Sequence, residues 1–147
     1  MKSEFDRAMR ALCEAESIAP AEPLMQGASI ALDEVLFSFM YDEEVAADSL
    51  YLRVVFGEAP LHDETAIFKA LLQQNHAAYR GRGAGFCIAR SSGEVLYLHE
   101  ISLAQATPAL LTTTMRYFTG KVKAWQKSFY LPCAVQPSAR AVRRLVA

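Results

Sequence analysis

At 147 residues the chain has the size of one domain that folds without disulfides or metals. Its 52% hydrophobic content, above the usual share of about 45–50%, inclines so small a domain toward self-association or an apolar partner. Net charge is -1, but residues 1–100 carry 16 acidic and 8 basic side chains while residues 101–147 carry 7 basic and no acidic ones, so a nucleic-acid function is excluded from the acidic body and would have to live in the tail. Cys13, Cys87 and Cys133 are odd in number, far apart and set among apolar neighbours, which reads as reduced thiols rather than a disulfide framework. No run approaches the roughly 18 apolar residues of a membrane span, and MKSEFDRAMR is charged and amphipathic rather than a signal peptide. The protein is expected to be soluble and intracellular.

Taken in order, Ser3 followed by Asp6 resembles a helix start, with Phe5, Met9, Leu12 and Cys13 on one face and Glu4, Arg7, Arg10 and Glu14 elsewhere. This helix should stop before Pro20, and the stretch APAEPLMQGAS reads as a loop because it holds two prolines and a glycine. Strands are expected over 29–32 and 35–41, separated by Asp33-Glu34, a break of hairpin length. In the second strand Val35, Phe37, Phe39 and Tyr41 point one way, and Leu36, Ser38 and Met40 the other. After an acidic turn over 42–48, the strand 50–56 places Leu50, Leu52, Val54 and Phe56 on one face and Tyr51, Arg53 and Val55 on the other. Gly57 and Pro60 end it.

The central helix is expected over 63–79, with Asp63 as N-cap and Gly81 as the stop. Ile67, Phe68, Leu71, Leu72, Ala78 and Tyr79 recur at helical spacing, and Ala66, Ala70 and Ala77 widen the smooth surface beyond one stripe. A helix this apolar can pack on its own sheet and still offer a second face to another chain. Residues 80–85 read as a flexible link before a hairpin of strands 86–89 and 95–101. Leu96 and Leu98 share one face of its second strand; Val95, Tyr97, His99 and Ile101 share the other. Thr107-Pro108 opens the last helix, whose stripe is Leu111, Met115, Phe118, Val122, Trp125 and Phe129. Gly120 within it costs up to about 1 kcal/mol relative to alanine without breaking it. The order α-β-β-β-α-β-β-α implies an α+β domain over 1–130, a mostly antiparallel twisted sheet with helices packed on it. A basic tail, 131–147, reads as either a short helix or a disordered segment.

A catalytic constellation cannot be assembled. His62, His76 and His99 fall in a loop, a helix and a strand, without metal-ligand spacing. Cys87 with His99 lacks an orienting third group, and a thiol between Phe86 and Ile88 reads as packing. The GRGAG stretch follows a helix and precedes a strand, the reverse of the order that aims amides at phosphate. The acidic turn lacks the alternation and central glycine of a calcium loop. The expectation is a protein that is not an enzyme and takes no cofactor or metal.

The element order, the acidic body and several phrases resemble one family: LDEVLFSFMY and LYLRVVF, then Leu71-Leu72-Gln73-Gln74-Asn75, then the Ser92-Gly93-Glu94-Val95 hairpin followed by Leu98 and Leu103, and a closing helix bearing Phe118 and Trp125. The chain is similar over residues 3–130 to the class I chaperones of bacterial type III secretion, of the Tir-chaperone (CesT-like) type. The resemblance implies a cytoplasmic bacterial homodimer that uses no ATP and holds the N-terminal segment of one or more secreted effectors in extended form. It implies effector contacts at Phe5, Met9, Leu12, Phe37, Phe39 and Val55, so that Phe39→Ser should weaken binding more than it weakens the fold. It implies a dimer interface at Phe68, Leu71, Leu72, Asn75, Phe86, Cys87 and Ile88. An export-machinery ATPase is a further candidate contact, no nucleic acid is implied, and the basic tail departs from the family's character. The alternative is a dimeric adaptor outside secretion on the same scaffold, since fold does not fix function.

Overall fold

The computed structural model describes residues 1–78 and 84–132. Its helices are α1 (Lys2–Ala15), α2 (Glu22–Met25), α3 (Glu64–Ala78) and α4 (Pro108–Ser128); its strands are β1 (Ile30–Leu32), β2 (Val35–Met40), β3 (Ser49–Gly57), β4 (Gly85–Ile88) and β5 (Val95–Ser102). Every neighbouring pair is antiparallel and the order across the sheet is β1-β2-β3-β5-β4, which leaves β1 and β4 as the two edges. The α+β architecture expected from the sequence is the one observed.

Strand alternation decides which face meets the helices. Phe37 pairs with Val54, and Phe39 with Leu52; Leu50 pairs with Ile101, and Val54 with Tyr97. These side chains share the inner face, where Phe37, Phe39, Leu50, Leu52, Val54 and Phe56 are all buried. The stripes Phe5, Met9 and Leu12 of α1 and Leu111, Met115, Phe118, Val122 and Trp125 of α4 close over them. Full burial of each such side chain contributes about 1.5–3 kcal/mol. Asp33 and Glu34 join β1 to β2 with φ of 48° and 69°, the two positive values of a type I′ turn, whose twist matches the strands it connects.

The last helix begins as expected. The Thr107 hydroxyl accepts from the Leu110 amide at 3.2 Å, and Pro108 fills the first turn. It ends on Phe129 in the left-handed region, whose amide donates to the Trp125 carbonyl. Gln126 then ties α4 to β3 by donating to the Phe56 carbonyl at 3.0 Å.

One local expectation needs correction. The stretch APAEPLMQGAS contains α2, one turn that buries Leu24 against the core, so its prolines flank or open a helix rather than prevent one. Asp63 stands directly before α3, which starts at Glu64, and also closes a 3-10 turn, Leu61–Asp63. A second 3-10 turn, Leu103–Gln105, joins β5 to α4. Leu131 still belongs to the packed body: it is buried, and its carbonyl accepts from Gln74 at 2.6 Å. Tyr79, the expected stop Gly81, Cys133 and the arginine-bearing tail lie outside the described residues.

Candidate protein-interaction surfaces

Five of the six expected effector contacts form the interior. Phe5 and Leu12 are 1% exposed, and Met9, Phe37 and Phe39 are 0% exposed, because the α1 stripe seats directly on the inner face of β2 and β3. They are corrected here from an open groove to the core beneath one. The sixth, Val55, pairs with Leu96 and stands on the opposite face of the sheet, half-buried.

An open groove does exist beside them, at the β1 edge. Ile18, Ile30, Leu32 and Met115 wall a hollow of about 240 Å³ whose floor is Leu12. Its rim is polar: the Thr112 hydroxyl donates to Glu16 at 2.9 Å, and Arg116 stands on the same side. Among the described residues, no strand pairs with the outer side of the backbone beside this groove. In a two-residue hairpin of this type Leu32 and Val35 exchange both backbone hydrogen bonds, so strand alternation turns the amide and carbonyl of Ala31 outward. An extended chain laid along β1 would pair with Ala31 and send alternate side chains into the groove. The sequence signal for this site was a short strand, expected over 29–32, next to a tight turn; the structure confines it to Ile30–Leu32 and places it at the edge of the sheet.

A second hollow of about 250 Å³ opens at the other end of α1, between Lys2, Met25, Phe39 and Tyr41. The Phe5 and Tyr41 rings stack there with centroids 5.6 Å apart, and the Tyr41 hydroxyl accepts from the Met1 ammonium. Its α2 wall was not foreseen from the sequence.

The expected pairing residues divide in two. Ile67 and Leu71 of α3 are buried, whereas Leu72 is 66% exposed. Leu72 lies with Thr65, Phe68, Lys69, Gln73 and His76 along an open, largely apolar strip of the helix. Cys87 is exposed and Ile88 is 44% exposed on β4. Leu71, Asn75 and Phe86, by contrast, are occupied within the chain. The Phe86 ring packs edge-on against Phe56 at 5.1 Å and Tyr97 at 4.8 Å. Asn75 donates to the Phe86 carbonyl at 2.9 Å and accepts from the Phe86 amide at 2.7 Å. Within one copy these three side chains therefore contact their own chain.

The geometry also separates the one imagined nucleophile from its base. Cys87 pairs with Leu96 on the outer face, while His99 pairs with Leu52 on the inner face and meets the Phe118 ring at 5.2 Å. Burial holds the His99 imidazole below its usual pKa, against a smaller opposing pull from Glu100. Among the described residues no group of three or more metal-ligating side chains converges, and no helix is long and apolar enough to cross a membrane.

Comparison with known proteins places this architecture. The family model described as the Tir chaperone protein (CesT) family matches residues 40–126. A search of curated proteins gave no match. Among solved structures, the fold is similar to a chain of the ExsC-ExsE complex, with a TM-score of 0.66, 21% identity, and coverage of 91% of this chain and 98% of that one. It is also similar to a chain of the HopA1-SchA chaperone-effector complex, with a TM-score of 0.62, 10% identity, and coverage of 86% and 96%. At these identities the likeness establishes a shared fold.

Proposed function

The chain belongs to the Tir chaperone protein (CesT) family, and from that premise we propose that it is a type III secretion chaperone. It binds the N-terminal segment of one or more effectors in extended form in the bacterial cytoplasm, keeping them soluble and competent for export. The observation that carries this reading is the unpaired β1 edge lying against an apolar groove. Backbone pairing supplies affinity that tolerates many sequences, and the groove selects apolar side chains at alternate positions. Holding of this kind needs binding energy alone, so no nucleotide is consumed. The acidic body favours basic or neutral client segments. The neighbour from a chaperone-effector complex supports the same class of partner. Pairing of two copies through the exposed strip of α3 around Leu72 would cover its apolar surface and leave both β1 edges free.

The test begins with the chain purified from its native cytosol, bound proteins being identified by mass spectrometry and their protected segments mapped by limited proteolysis. The expected result is a secreted protein held by its N-terminal segment in non-globular form. Ala31→Pro then removes the outward amide of β1 without touching its bonds to β2, and should lower retention at least tenfold with an unchanged melting temperature. A partner held through a folded surface, or full retention by Ala31→Pro, would overturn the reading.

A further inference from the structure

The two edges of the sheet are not equally open: α3 lies along β4, and from it one side chain reaches the backbone of the strand. Asn75, on the fourth turn of α3, presents its carboxamide to β4 as a neighbouring strand would present a peptide group. It accepts from the Phe86 amide at 2.7 Å and donates to the Phe86 carbonyl at 2.9 Å. The amide and carbonyl of Phe86 therefore point away from β5, and by alternation those of Ile88 do too. The contact is shaped for this purpose from both sides. Gly85 has φ of 144°, and a Cβ there would stand 2.6 Å from the Asn75 Oδ1, so only glycine lets the carboxamide reach the strand.

The need for such a device follows from what β4 is made of. Gly85-Phe86-Cys87-Ile88 carries no charge and no proline, and it ends in a side chain that is 44% exposed. With two outward-facing residues, it is the kind of edge to which another strand adds. β1 is blunted differently: it is three residues long, turns out only Ala31, and runs directly into the exposed carboxylates Asp33 and Glu34. Those features discourage a second copy yet leave room for a client.

We propose that Asn75 is an edge guard: its carboxamide closes β4 to strand addition by a second copy of this chain, and so confines addition to β1, where the client's part rests on the reading above. Without the guard, β4 of one copy pairs with β4 of another, and the sheets join edge to edge.

Sedimentation velocity of the full chain over a wide concentration range tests this. Asn75→Ala should form species larger than wild type as concentration rises, and Ile88→Pro in the same background, which deletes the remaining outward donor, should restore the wild-type distribution. A wild-type distribution for Asn75→Ala, or larger species that persist with Ile88→Pro, would refute the guard. Amide exchange in the wild-type protein decides the matter even where Asn75→Ala fails to fold. The Phe86 amide should exchange at least tenfold more slowly than that of Ile88, and equal rates would overturn the proposal. Neither measurement involves a client, so failure here leaves strand addition at β1 standing, and failure of Ala31→Pro to affect retention leaves the guard standing.

Discussion

The β1 and β4 edges belong to one sheet, yet the chain treats them as opposites. β4 is fastened from three sides: to β5 by backbone pairing, to the core by the Phe86 ring between Phe56 and Tyr97, and to α3 by the Asn75 carboxamide. β1 pairs with β2 alone and meets α4 across an unfilled apolar groove. A sheet whose backbone groups are all obliged to find partners can leave an edge bare only where water or another chain satisfies it. The difference shows how a small domain can bind an extended chain without polymerising: one edge is kept short and wet, and the other is closed by a side chain.

Substitutions under each edge sharpen that contrast. The largest effect is expected from Phe39→Ser, beneath the β1 side. Its 0% exposure makes it core, so the mutant should lose about 3–5 kcal/mol of unfolding free energy in urea, with client binding falling only as the fold does. Binding lost with stability retained would return Phe39 to the client surface. Next is Gly85→Ala, which combines an unfavourable backbone conformation with displacement of Asn75. A loss of about 1–3 kcal/mol is expected, together with faster exchange at the Phe86 amide. No change in either would separate the glycine from the clamp. Smallest in stability is Leu72→Asp: at 66% exposure the change should stay within about 0.5 kcal/mol, while the sedimenting species falls to half its mass. A dimer that survives this change would move the pairing surface off α3.

Much of this was legible in the chain, for reasons that differ by element. The strict alternation of Val35, Phe37 and Phe39, and of Leu50, Leu52, Val54 and Phe56, has one structural outcome, a sheet with one face packed against the helices. The four-three spacing of the α4 stripe and its Thr107-Pro108 start were equally readable. Burial depth was not. An apolar residue on α1 or β2 carries the same signal whether it lies at the bottom of a groove or beneath a fully packed layer, so the sequence of Phe5, Met9 and Phe37 does not distinguish a client groove from the core. The groove residues Ile18, Ile30 and Met115 come from a loop, an edge strand and a helix, and only the fold brings them together. Asn75 was singled out, but a polar residue on an apolar helix does not announce whether its partner is another chain or the strand that follows eleven residues later.

The most direct measurement is amide hydrogen exchange at Ala31, in the chain alone and with its client bound. Strand addition at β1 requires that this amide exchange rapidly in the free protein and become protected by at least tenfold in the complex, with Phe86 slow in both. Ala31 remaining fast in the complex, with new protection appearing elsewhere on the surface, would contradict it.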